Sequence, residues 1–305
     1  MLKLINTGNR RGDRIFSGLT LAAAAVLVLV LGSVAVFLIT QSIPAFTANE
    51  TTASLLDSTF WAYALPLLFG TVWVSVLALI MAVPVSIGIA LFITHFAPRR
   101  LAGILGSLID LLAAVPSVVF GLWGVAVLAP ALQPVFAWLV ENVGWFPLFE
   151  GPVSATGRTI LTAAVVLAVM ILPIITSLTR EVFKHTPKLS EEGALALGAT
   201  KWEMITMTVL PFGRSGILSA SMLGLGRALG ETMAVTMVLS ATGGISWQLL
   251  TSQNPSTIAA NIALTFPEAY QTNINVLIAT GLMLFAVTFL VSAVARLIVR
   301  RLTVA

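Results

Sequence analysis

From Ile15 to Thr40 the chain runs for 26 residues without a charged side chain, and the longer stretches beyond it are almost as bare. A span of bilayer needs about 20 consecutive apolar residues, so runs of this kind dictate a membrane fold before anything else is read. Composition agrees: 58% of residues are hydrophobic and 9% are charged, where soluble domains carry about 25% charged residues. The expectation is an all-α integral membrane protein with six transmembrane helices in a single domain covering 1–305.

The runs place spans at about 15–40, 64–96, 101–130, 159–179, 215–239 and 275–298. The first is too long for the apolar core of a signal peptide, about 7–15 residues, and reads as a retained anchor with its N-terminus in the cytoplasm. Pro66 falls near a helix start, and Pro84 predicts a kink. The third run is ambiguous, because only Asp110 is charged between Leu101 and Val140. Pro130 and Pro134 predict a break after about 30 residues, followed by an interfacial segment in which Trp138, Trp145 and Phe146 suit the headgroup region. Thr257 to Phe266 is too short to cross and is expected in the interface. Six spans put both termini inside, so that 14 of the 16 Lys and Arg are cytoplasmic and only Arg158 and Arg227 are not. That is the distribution of the positive-inside rule. There is no cysteine, which excludes disulfides, thiolate metal sites and cysteine nucleophiles. The basic residues form no face suited to nucleic acid.

Two features stand out from this scaffold. Between the fourth and fifth spans, residues 188–211 read as a water-facing helical elbow. Glu191 and Glu192 follow Ser190 in a first helical turn, where carboxylates favour the positive end of the helix dipole. Gly198 can close that helix in the left-handed conformation. Thr200 and Glu203 have capping-box spacing for a second helix, which Pro211 limits.

Further along, Arg227 lies 14 residues past Gly213, or about 21 Å of helix, near the middle of a hydrocarbon core about 30 Å thick. Glu231 stands at i+4 on the same face, within ion-pair reach. Charges at that depth cost about 2.5–3.5 kcal/mol each even on a lenient scale, so they must face a cavity or each other. Asp110, nine residues past Leu101, is a third candidate at similar depth. A structural ion pair and a substrate-pathway site are both consistent with these residues. Gly226 and Gly230 form GxxxG, which suits close helix packing. The overlapping near-match to a dinucleotide fingerprint is spurious, because no strand precedes it. No Walker A sequence occurs, so the chain is not expected to hydrolyse ATP.

Glu192-Gly193-Ala194, Gly198 and Leu210-Pro211 resemble the EAA loop of ABC importer permeases, with Gly193 in place of Ala and Thr208 where Ile is usual. The segment Gly224 to Val235, and Val115 to Gly124 in the third run, are similar to the phosphate-uptake permeases of the Pst system, in their PstC-type branch. Ser42 to Phe46 agrees, and the resemblance covers all six spans in order. It implies a type I ABC importer permease fold with a cytoplasmic coupling helix, in which Glu192, Gly193, Ala194, Gly198, Leu210 and Pro211 belong to the ATPase-docking elbow. It also implies that Arg227 and Glu231, with Asp110 as a further candidate, lie along the phosphate pathway. The partners implied are a PstA-type second permease, a PstB-type ATPase dimer and a PstS-type phosphate-binding protein in a bacterial inner membrane. No cofactor or metal is expected on this chain, ATP being used by partner subunits. Residue chemistry alone leaves other oxyanions, sulfate or molybdate, and an ion-coupled secondary transporter as alternatives.

Overall fold

The structure, a computed structural model, describes residues 10–48, 52–56, 59–242 and 244–304. Lys3, Glu50 and Asp57 lie outside the described residues. Lipid offers no partner for a backbone N–H or C=O, so helices that satisfy both internally dominate. Among the described residues no β-strand forms, and an isolated bridge joins Ala241 and Asn254.

Helix α1 (Arg10–Phe46) packs along α12 (Thr272–Val304) and exposes apolar side chains along most of its length. The core lies instead among α2 (Phe60–Leu91), α6 (Ile160–Lys184) and α9 (Leu210–Leu229). On α2, Ala78, Ala82, Ser86 and Ala90 recur every four residues and are all buried. That spacing places small side chains on one face and lets α6 approach closely. Ser86 Oγ donates to Leu172 O across this seam at 3.2 Å. On α9, Gly213, Gly216 and Gly224 lie against Phe183, Val182 and Ile175 of α6, leaving no room for a Cβ.

Among the described residues five helical stretches have both the length and the apolarity to cross a membrane: Gly12–Phe46, Phe60–Phe96, Ser117–Val143, Ile160–Lys184 and Thr272–Val299. Helix α9 has 20 residues, about 30 Å of helix, but Arg214 and Arg227 make it less apolar. The expected crossing at 101–130 is displaced. Helix α3 (Arg99–Ala113) is a separate amphipathic helix with Leu101, Ile104, Leu108 and Leu111 exposed along one side. The chain breaks at Pro116, and the crossing runs through α4 (Ser117–Trp123) and α5 (Ala129–Val143). Proline disfavours helix at the residue before it and lacks an N–H, which accounts for the break. The candidate crossing therefore begins after Pro116, and Trp138 lies within α5.

Pro130 does not end the helix, for a reason that recurs. Among the described residues three five-residue π turns occur, at Phe92–Phe96, Gly124–Leu128 and Ile205–Val209. Each ends two residues before a proline: Pro98, Pro130 and Pro211. In each, the residue before the proline donates to the carbonyl five residues back: Ala97 to Phe92, Ala129 to Gly124 and Leu210 to Ile205. At Pro130 and Pro211 the wider turn absorbs the missing proline N–H without breaking the helix, whereas at Pro98 the helix ends on an extended Ala97.

Past α9 come α10 (Met233–Val238), an irregular stretch, and α11 (Ile258–Thr265). Ile258 N donates to Thr71 Oγ1, and Tyr63 Oη donates to Asn261 Oδ1, so α11 is held on α2. The expected 215–239 span is thus two helices.

Candidate functional site

The elbow is built as its local signals require, with two changes. Helix α7 (Lys188–Ala196) begins two residues before Ser190, with Pro187 at its N-cap, and keeps Glu191 in its first turn. Gly198 turns the chain at φ +91°, a conformation that disfavours any residue with a Cβ. Helix α8 (Lys201–Met204) then starts on a complete capping box. Glu203 N donates to Thr200 Oγ1 at 3.3 Å, while Glu203 Oε2 accepts from Thr200 N at 2.7 Å. The Thr200 backbone N–H, followed by its hydroxyl, holds the Glu203 carboxyl below the ordinary glutamate range. The second change concerns Pro211. It sits in the first turn of α9, and the π turn at Ile205–Val209 joins α8 to α9 without interruption.

Met204, Ile205 and Val209 are buried against Ala90, Leu91 and Phe183, which seats the elbow on the ends of α2 and α6. Its tip is bare: Glu192, Gly193 and Gly198 are exposed, with Leu189 84% and Leu197 92% accessible.

Arg227 lies in the last turn of α9. Because Gly213 meets Phe183 and Gly224 meets Ile175, Arg227 comes level with the middle of α6. Gly230 closes α9, and the chain changes course before Met233. The expected Arg227–Glu231 pair is not formed, and among the described residues no ion pair involves Arg227. Glu231 instead turns toward the next helix. Its Oε1 accepts from Ala234 N at 3.1 Å, and the residue is buried at 8% exposure. A carboxylate beside a free helix start offers the backbone an alternative to continuing the helix, and the dipole of α10 favours the charge there. Within this chain the GxxxG glycines meet no neighbouring helix among the described residues. Gly226 has nothing within 4 Å of a built Cβ, and Gly230 has only α9 carbonyls near that distance. The face carrying Leu223, Gly226, Arg227 and Gly230 is partly open, Arg227 being half-buried and the other three exposed, while Gly224 is the glycine that packs.

A family model described as binding-protein-dependent transport system inner membrane component matches residues 82–304. The phosphate transport system permease protein PstC of Mycobacterium leprae is 50% identical over 300 residues, covering 95% of this chain and 93% of that protein. PstC 2 of Mycobacterium tuberculosis is 49% identical over 302 residues, covering 95% and 92%. This chain belongs to the PstC-type permease family. Among solved structures, a bacterial alginate ABC transporter in complex with an alginate-bound periplasmic protein matches at TM-score 0.64 and 15% identity, covering 96% of both chains. The methionine transporter MetNI, in an inward-facing form, matches at TM-score 0.57 and 14% identity over 79% of this chain and 96% of that one. The fold is that of the type I ABC importer permeases, in a multi-pass protein of the bacterial inner membrane.

The two segments that carried the PstC-type resemblance, more than 100 residues apart, meet in space. Gly121 lies against Ala234 and Met237, and Gly124 against Val166 and Val238, so α4 packs on α10. The break after Leu229 is therefore braced by the Pro116 helix. Asp110 is elsewhere. It receives Arg180 Nη2 at 3.2 Å, one turn before the end of α6, with Gly106 directly under the guanidinium. It ties α3 to α6 and is brought near neither Arg227 nor Glu231. No group of His, Asp or Glu side chains suited to a metal occurs among the described residues. Sequence reasoning passed over His95, which the π turn at Phe92–Phe96 places against Glu191 of the elbow. A lone histidine at the end of an apolar run carries no spacing signal that would have found it.

Proposed function

We propose that this chain is a permease subunit of an ATP-driven phosphate importer, forms half of the translocation pathway, and receives the work of separate ATPase subunits at the 188–211 elbow. The observation that carries the reading is Arg227: a permanent cation level with the middle of α6, on a partly open helix face, with no carboxylate paired to it among the described residues. A charge held in a membrane bundle without a partner marks a substrate or ion pathway. Guanidinium matches phosphate in charge and fork geometry. The PstC names of its relatives supply the substrate.

A PstA-type permease supplies the opposite wall, against the open face of α9. Two PstB-type ATPases take the elbows, Leu189 and Leu197 being the apolar contacts on this side. A PstS-type protein delivers phosphate from outside. Both termini are cytoplasmic, and ATP is bound by the partners, with no cofactor on this chain. Six crossings result, α9 being the sixth, its polar face turned to the pathway and not to lipid.

The test is Arg227→Gln in the assembled complex. Phosphate uptake falls roughly 10- to 100-fold, the range of a lost charged hydrogen bond, while the purified complex keeps its subunits. Uptake at the wild-type rate, or wild-type vesicles that take up sulfate or molybdate in preference to phosphate, would overturn the reading.

A further inference from the structure

The elbow is held to the bundle by more than its covalent run into α9. Pro98 forces the π turn at the end of α2, and that turn brings Thr94, His95 and Phe96 to the elbow. His95 Nε2 lies 3.5 Å from Glu191 Oε1 of α7, with the two side chains 10% and 23% exposed. The other ring nitrogen, Nδ1, is 2.7 Å from Thr94 Oγ1, whose hydroxyl also lies 2.8 Å from Ala90 O. Both nitrogens of a largely shielded imidazole are thus engaged, one by its own helix and one by the elbow. A second contact runs parallel to it: Lys201 Nζ of α8 sits 5.8 Å from the centre of the Phe96 ring. Beneath them lies the apolar seat of Ala90, Leu91, Phe183, Met204, Ile205 and Val209. Apolar packing holds two surfaces together without fixing their direction. The His95–Glu191 contact fixes α7 at one point, and it is a polar tie from α7 to the end of α2.

We propose that His95 is a positioning residue for coupling, whose contact with Glu191 delivers displacement of the elbow to α2 as well as to α9. This rests on the reading of residues 188–211 as the ATPase-coupling elbow. Helix α2 makes the largest seam of the bundle with α6, so a push at Glu191 reaches the core through a rigid element. Without the tie, α7 can rotate over its apolar seat, and part of the ATPase stroke is lost there.

The experiment uses the complete transporter in proteoliposomes, with phosphate uptake and ATP hydrolysis measured on the same vesicles. His95→Ala should keep ATP hydrolysis and lose about 2- to 30-fold in phosphate taken up per ATP, the span seen for residues along coupling networks. His95→Gln, whose amide nitrogen reaches toward the place of Nε2, should restore most of the ratio. An unchanged ratio in His95→Ala overturns the proposal. So does an equal fall in hydrolysis and uptake that His95→Gln does not recover, which marks a merely structural role. A wild-type complex that hydrolyses ATP and moves no phosphate would overturn the transport reading itself, and this proposal with it.

Discussion

The elbow turn and the break after Leu229 use the same local vocabulary in opposite surroundings. In each, a glycine ends one helix and an acidic side chain near the start of the next accepts from a backbone N–H. At the elbow, Gly198 has a positive φ, and the Thr200–Glu203 box is open to water. At the break, Gly230 has an ordinary negative φ, and Glu231 caps from a buried position with no hydroxyl sharing the task. Water can replace a lost cap at the elbow. Inside the bundle a buried N–H has no such recourse, so the same hydrogen bond carries more weight there.

The comparison breaks first at Glu231. Replacing it with alanine leaves the Ala234 N–H without its acceptor and should cost about 1–3 kcal/mol, read as a lower Tm of the detergent-purified complex. An unchanged Tm would show that the break is held by α4 packing alone. Next comes Gly198→Ala. Nothing lies within 4 Å of the added methyl, so any loss is backbone strain alone, about 1–2 kcal/mol for a left-handed residue. Faster amide exchange over 194–200 would report it, while exchange at 231–236 stays as it was. Thr200→Ala should cost less, about 0.5–1 kcal/mol for an exposed cap, seen as faster exchange at Glu203 and Met204.

The smallest effect is that of pH. The Glu203 carboxyl titrates below its ordinary value of 4.5 because Thr200 donates to its charged form. The folded elbow therefore keeps this stabilisation above pH 4.5 and loses it as pH falls through the lowered pKa. Amide protection at Glu203 followed from neutral to acid pH should decline only at the acid end. Protection that declines between pH 8 and 6 would implicate another group.

What the sequence made legible follows the same division. Turn and cap chemistry is local, so Gly198 and the Thr200–Glu203 box could be placed from spacing alone, and the apolar runs announced the helices. Three matters required the folded chain. Pro130 and Pro116 look alike in a hydropathy run, yet one is absorbed by a π turn and the other divides two helices. Glu231 at i+4 from Arg227 predicts a pair only if the helix continues, and its own competition for Ala234 N–H helps to end it. Asp110 was given a depth by counting along a crossing, but α3 is a separate amphipathic helix that brings it to Arg180. Each of these was decided by contacts between segments distant in sequence.

The π turn at Ile205–Val209 has a consequence in rotation. Such a turn holds one residue more than an α turn, and each residue advances a helix by about 100°. Removing one residue from 205–209 would straighten the joint into regular helix and leave every side chain of the elbow and of α9 in place by type. It would also leave α9 at nearly the same bearing relative to α8, because the π turn fits its extra residue into a single turn. One residue added to regular helix would instead rotate α9 by about 100° and swing Arg227 toward a packed face. The π turn thus works as a phase corrector: it lets the interval from Gly198 to Leu210-Pro211 carry one residue more without turning Arg227 away from its bearing.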